Sequence, residues 1–240
     1  MSRENAHGFL KIYERSLQRE LGSANSLAAK IRQRAAKAKT DDSAPHLRRP
    51  EEVFLNEYAI PCLFRELQRQ CGLSPQDACT ALLSENHKYL NGVSSTTPAR
   101  SIQHRHPFDK TLAPNARQVI EHWRSGKSNA LRQACPDIAL RAPCPFTIVF
   151  EGKYFEAGSP DRAAAELVRN IYQAFFYRAL PRVPGKGTRP PWDYEYGCLL
   201  ACDASPSGAL IEAWNSIPHS VQKGFWDGAN VYVMVVRGET

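Results

Sequence analysis

The sequence predicts an α/β protein, and three observations carry that prediction. The first third is dominated by strong helix formers, the region after Pro136 holds short β-branched and aromatic runs, and helical patterns alternate with those runs. Strands separated by helices build a sheet covered by helical layers.

The elements follow in order. Ala6 to Lys39 is rich in Ala, Leu, Lys, Arg and Gln with a break near Gly22-Ser23, which predicts two helices or one interrupted helix. Residues 40–50 (TDDSAPHLRRP) have the composition of a linker. A helix beginning at Glu51 aligns Val53, Ile60, Phe64 and Leu67 on one apolar face and ends near Cys71-Gly72. Ser74-Pro75-Gln76-Asp77 reads as a helix start, with Ser as cap and Pro at the first position, and the helix is expected to run to about Tyr89. Residues 91–114 are loop-like, and a helix is expected over 115–125. Asp137 to Arg141 is a short strand, and Phe146 to Phe155 (FTIVFEGKYF) is the strongest strand in the chain. Ser159-Pro160-Asp161 opens a helix to Leu180, where Pro181 stops it. After the loop over 184–191 come a strand at Tyr196–Ala201, a helix at Ala209–Asn215 and a strand at Val231–Val236. No internal repeat is visible, and the chain divides into a basic helical N-terminal extension (1–45) and a domain over 46–240.

Composition excludes several classes. The 240 residues are 42% hydrophobic and 23% charged, as in soluble globular proteins. No apolar run approaches the ~18–20 residues that span a bilayer, and Met1 to Leu10 lacks the apolar core of a secretory signal. A cytoplasmic location is expected, with no membrane partner. Seven irregularly spaced cysteines do not form a disulfide framework. No C-x-x-C exists, Cys198 and Cys202 have no second pair at zinc-finger spacing, and no zinc is expected. His104-x-His106 has the residue types of a metal-ligand pair, but on a polar, Pro-flanked loop such a pair more often does nothing specific. Gly-Lys-Gly-Thr at 185–188 lacks the leading glycine of a phosphate loop.

Charge is concentrated at one end. Of a net +7, residues 1–50 hold 11 basic and 5 acidic residues. Lys30, Arg32, Arg34, Lys37 and Lys39 follow one another with no acid between Leu21 and Thr40. Such a run suits a polyanion, of which DNA is the usual one, or is simply a solvated helix face.

The residues that point to chemistry lie between Pro136 and Tyr177. Along the strong strand, Val149, Glu151 and Lys153 face one way and Ile148, Phe150 and Tyr154 the other. A carboxylate and an ammonium therefore stand side by side at the end of an apolar strand, where either ion alone is costly. A hairpin through Ala142-Pro143-Cys144-Pro145 brings Asp137 beside Glu151. Two adjacent carboxylates repel unless a cation lies between them, and Mg²⁺ takes oxygen ligands. A metal-bound water is a nucleophile for attack on phosphorus, with Lys153 orienting it or neutralising developing charge.

Pro136-Asp137 followed by Glu151-Gly152-Lys153, with Gln173-x-x-x-Tyr177 on the next helix, resembles the signature of the PD-(D/E)XK nuclease superfamily with a RecB-like Q-x-x-x-Y element. The spacing puts Gln173 and Tyr177 one turn apart, joined by Asn170 and Glu166, while Ala164, Val168, Ile171, Phe175 and Ala179 are expected to pack on the sheet. The resemblance implies a restriction-endonuclease-like core, a central mixed sheet flanked by helices. It also implies catalytic roles for Asp137, Glu151, Lys153, Gln173 and Tyr177, and a glutamate from the first core helix. Glu57, an acid inside the apolar stripe, is the preferred candidate, with Glu52 at the helix start as the other. The implied metal is Mg²⁺, for which Mn²⁺ can substitute, held by Asp137, Glu151 and Glu57. The cysteines do not group as an iron–sulfur cluster requires, so none is expected.

The expected activity is that of a metal-dependent deoxyribonuclease, endonuclease before exonuclease, of restriction or anti-phage defence type. Lys30, Arg32, Arg34, Lys37, Lys39, Lys186 and Arg189 supply phosphate contacts to DNA, double-stranded before single-stranded. Double-strand cleavage needs two sites, which suggests a homodimer. Two alternatives stand beside this: a non-catalytic nucleic-acid-binding or scaffolding subunit of a larger complex, and N-terminal helices that dock on an acidic protein partner.

Overall fold

The computed structural model describes residues 3–22, 27–41, 47–84, 137–156, 158–179 and 194–237. The expected loop over 91–114 with His104 and His106, the helix over 115–125, Cys135 and Pro136, and the 184–191 loop with Lys186 and Arg189 lie outside the described residues.

Helix α1 (Arg3–Gly22) and helix α2 (Leu27–Lys39) are separated where the Gly22-Ser23 break predicts. Each buries one stripe: Ala6, Leu10, Tyr13, Leu17 and Leu21 in α1, and Leu27, Ile31, Ala35 and Ala38 in α2. The helix foreseen from Glu51 is built in three pieces, α3 (Pro50–Phe54), a π-helical turn (Leu55–Ala59) and α4 (Ile60–Cys71). Pro61 accounts for the interruption. Proline has no N–H for the carbonyl four residues back, and its ring collides with that carbonyl in an α-helix. The π turn, closed by Ile60 N–H on Leu55 O, widens the coil immediately before it. Val53, Ile60, Phe64 and Leu67 are all buried, and Gly72 ends α4 in the left-handed region at φ 64°.

Ser74 caps α5 (Pro75–Ala81) by accepting the Asp77 N–H at 3.1 Å. The helix expected to reach Tyr89 instead stops at Ala81, because Leu82–Ser84 is drawn into the sheet as β1. Its partner is β2 (Ile138–Leu140), and this long-range pairing overrides local helix preference.

The sheet continues with β3 (Ile148–Phe155), β4 (Tyr196–Asp203) and β5 (Val231–Arg237), in the order β1-β2-β3-β4-β5. The β1–β2 and β2–β3 pairs are antiparallel, and β3–β4 and β4–β5 are parallel, giving a mixed sheet. Parallel neighbours need crossovers. These are α6 (Pro160–Ala179) between β3 and β4, and α7 (Ala209–Ser216) with α8 (His219–Ala229) between β4 and β5. The sequence reading missed α8, whose Gly224 and Gly228 are weak helix formers. Tertiary packing holds it: Trp226 is buried and stacks between the rings of His7 and Tyr196.

Helices cover both faces of the sheet. Ile148 and Phe150 share the larger core with α1, α2, the π turn and α4, so the two helices foreseen as an N-terminal extension are part of that core. On the other face Phe155, Leu199 and Ala201 pack against α6 and α7. The packing stripe of α6 is rotated from expectation. Ala163, Leu167, Ile171, Ala174 and Tyr177 are buried, whereas Ala164 is exposed and Val168 is 52% exposed. Gly197 on β4 sets this rotation: a Cβ there would lie 2.9 Å from the Ala174 carbonyl oxygen, so only glycine admits the helix backbone this closely. Among the described residues no helix is long and apolar enough to cross a membrane.

Candidate active site

Strand pairing builds the site. Ladder pairing between β2 and β3 begins at Ile138 opposite Phe150, and beyond Phe150 no described strand continues on that side of β3. Asp137, one residue before β2, fills the gap by accepting the Gly152 N–H on Oδ2 at 2.7 Å. The hairpin thus brings Asp137 to the Glu151 end of β3, as the loop length predicted. Glu151 is 2% exposed, and its Oε1 lies 2.9 Å from Lys153 Nζ. Lys153 also lies 3.6 Å from Glu51 Oε2, so one ammonium stands between two carboxylates.

The first-helix acid that stands beside Lys153 is Glu51, where the sequence pointed to Glu57 and Glu52. Glu57 is exposed and pairs with Arg34 at 2.6 Å, away from Lys153. An uninterrupted α-helix would keep residue 57 in the stripe of 53, 60 and 64, but the extra residue in the π turn rotates it outward. Glu52 serves the helix end, accepting the Arg49 N–H at 2.9 Å. Glu51 lies one turn before Leu55, and Leu55 packs directly over Gly152: a Cβ on Gly152 would be 2.5 Å from Leu55 Cδ2. Pro61 was the one signal in the sequence for this change of register.

The electrostatics of the group are those of crowded acids. Burial is the main influence on Asp137 and pushes its carboxyl well above the aspartate range; Glu151 and Glu51 push the same way, against Lys153 and the Gly152 N–H. Burial pulls Lys153 down, but Glu151, Glu51 and Asp137 outweigh it and hold the ammonium above the ordinary lysine value.

Helix α6 covers the sheet face toward which Val149, Glu151 and Lys153 alternate. Gln173 Nε2 donates to Tyr177 Oη at 3.1 Å, and Tyr177 is 3% exposed. Asn170 is buried one turn earlier, with no hydrogen-bond partner for its Oδ1. Glu166 pairs with Arg169 at 2.9 Å.

The basic run divides in two. Arg32 pairs with Glu156, just beyond β3, at 2.9 Å, and Arg34 pairs with Glu57. Lys30, Lys37 and Lys39 are exposed on α2.

Among the described residues no three His, Cys, Asp or Glu side chains form a metal cluster by themselves. The donor set nonetheless fits a hard cation: all its donor atoms are oxygen, and three carboxylates face a single ammonium. Comparison of the chain with protein-family models, with curated proteins and with solved structures gives no match.

Proposed function

We propose that the chain is a metal-dependent nuclease hydrolysing DNA phosphodiester bonds, with a restriction-endonuclease-like core of the PD-(D/E)XK type. The observation that supports this reading best is the meeting of Asp137, Glu151, Lys153 and Glu51 at the end of β3, beyond its pairing with β2. Three acids share one lysine here, with Glu151 buried and Asp137 half-buried, an excess of negative charge that a structural ion pair does not need. Asp137 and Glu151 would hold Mg²⁺, with Glu51 in place of the expected Glu57. When bound, the ion supplies Lewis acidity toward a phosphate oxygen and lowers the pKa of its water. Lys153, its side chain 22% exposed, presents an ammonium to negative charge developing on the phosphate. Asp137 stays fixed on the Gly152 N–H, which keeps its carboxylate aligned with β3. Gln173 and Tyr177 orient each other on the helix above that face and serve to position substrate. The exposed lysines of α2 contact the DNA backbone.

The test is cleavage of supercoiled, linear and single-stranded DNA in Mg²⁺, Mn²⁺ and EDTA. Metal-dependent cutting is expected, with Lys153→Ala and Glu51→Gln each lowering the rate on the order of 10²–10⁴-fold. Glu57→Gln should leave the rate unchanged. Full activity in Lys153→Ala would overturn the site. DNA binding without cutting on any substrate would favour the non-catalytic subunit reading.

A further inference from the structure

Helices α1 and α4 pack against each other, and the groove between them is lined mostly by charge. It holds about 500 Å³ and is formed by Ile12, Arg15, Ser16 and Arg19 from α1 with Glu66 and Arg69 from α4. Ile12 is its one apolar residue, and three guanidiniums share a single carboxylate there. That carboxylate is already committed. Glu66 is 6% exposed, and its Oε2 accepts Arg69 Nε at 3.1 Å, Arg69 Nη2 at 2.7 Å and Gln70 Nε2 at 2.7 Å. The double contact fixes the Arg69 fork at the groove wall. One turn earlier on α4, Arg65 reaches across to Glu20 and ties the two helices together.

Arg15 and Arg19 are placed differently. Both are exposed, they stand one turn apart on α1, and neither forms an ion pair among the described residues. Glu14, beside Arg15 in sequence, accepts the Tyr232 hydroxyl instead. Lys11, also exposed, continues the row one turn toward the start of the helix. Like charges at this spacing repel, and the acid across the groove is held by Arg69.

We propose that the α1–α4 groove is a second nucleic-acid contact, separate from the lysines of α2, in which Arg15, Arg19 and Arg69 bind phosphate groups. The spacing fits a polymer of regular charge. Residues four apart on a helix are separated by about 6 Å along its axis, and duplex DNA carries a charge roughly every 1.7 Å of its own. Such a row meets phosphates in any register, whereas an acidic protein surface would have to match it carboxylate by carboxylate. The residue type fits as well. A guanidinium presents paired N–H donors to two phosphate oxygens, where an ammonium is a point charge. A groove with one apolar residue gives an apolar partner little to bury. The inference takes nucleic acid as the partner, as the proposed function does, but uses none of the residues around Lys153.

The experiment titrates binding of the full chain to a labelled DNA duplex from low to high salt, in EDTA so that cleavage does not intervene. Arg15→Gln combined with Arg19→Gln should lower the logarithmic salt slope by about 2. The same fall is expected when Lys30, Lys37 and Lys39 have already been replaced, because the two surfaces act independently. Arg15→Lys with Arg19→Lys returns the charge and should restore most of the slope. An unchanged slope in the Gln variant would overturn the proposal; if that variant also lost binding to polyglutamate, the groove would belong to an acidic protein partner. A fall that the Lys variant shares in full would mean lost packing and would overturn it too. The nuclease reading fails separately. Cleavage in Mg²⁺ with an unchanged slope removes the groove and keeps the site, and a reduced slope in a chain that cuts nothing does the reverse.

Discussion

Asp137 is half-buried and Asp203 fully buried, and the difference in their partners separates a candidate catalytic acid from a structural one. Asp203, at the end of β4, is fully buried and satisfied. Its Oδ1 accepts the Ser205 N–H at 3.0 Å and the Ser205 hydroxyl at 2.6 Å, and its Oδ2 accepts the N–H groups of Leu210 and Ile211 at 2.8 and 3.0 Å. It ties the strand to the first turn of α7. Asp137 accepts the Gly152 N–H and faces Glu151 and Glu51, with Lys153 the one opposing charge that its environment supplies. Removing each should therefore have opposite consequences for stability. Asp203→Ala strands buried donors and should cost about 1–3 kcal/mol in chemical denaturation, leaving the Glu51–Lys153–Glu151 group intact. Asp137→Asn keeps an acceptor for Gly152 and removes a charge. Because burial and Glu151 raise the native pKa of Asp137, the folded state binds the proton more tightly than the unfolded chain, and stability falls as pH rises through that window. Asp137→Asn should therefore melt at a higher temperature than the native chain at neutral pH, and the gain should vanish below the ordinary aspartate pKa. Thermal melts across pH check this; a lower melting temperature at neutral pH would show that the carboxylate has compensation not apparent among its neighbours. Activity should be lost in the stabilised variant, the trade expected where a site holds charge at the expense of the fold.

Single elements show how far local signals reach. The Ser74 cap, the break after Gly22 and the alternating faces of β3 were legible because each depends on residues a few positions apart. Four features were not. β1 exists only because β2 is beside it, and α8 is held by Trp226 between rings from α1 and β4. The rotation of α6 depends on Gly197, and Glu51 enters the site through the π turn before Pro61. In each case the deciding partner is distant in sequence, or a backbone register that a periodicity argument treats as constant. The carboxylate–lysine pattern itself was legible; its third acid was not. Gly152 gives the sharpest test at this scale. Gly152→Ala drives a methyl group into Leu55 and should push α3, with Glu51, away from β3. A loss of about 1–3 kcal/mol in stability is expected, with a fall in metal-dependent cleavage beyond what a surface variant of equal stability shows. Cleavage unchanged in a folded Gly152→Ala would mean that Glu51 is dispensable.

Across the whole molecule, charge and packing are distributed differently. The N-terminal helices carry much of the basic excess, yet their apolar faces are core. Arg32 and Arg34 are held by Glu156 and Glu57 in partly exposed pairs, each contributing at most about 1 kcal/mol. Lys30, Lys37 and Lys39 point outward, so replacing all three with Gln should reduce the salt dependence of DNA affinity, by about 2–3 in the logarithmic slope, without altering the fold. An unchanged slope in a titration from low to high salt would move the DNA contact elsewhere. The packing of α1 has a further consequence. Gln18 bonds both the N–H and the carbonyl of Arg237, Glu14 accepts the Tyr232 hydroxyl, and Arg3 reaches the Trp226 carbonyl. Among the described elements, the helix nearest the start of the sequence is thus completed by the strand nearest its end. During synthesis the part of α1 that packs on β5 waits for that strand, and a chain stalled before Val231 leaves it open to chaperones and proteases.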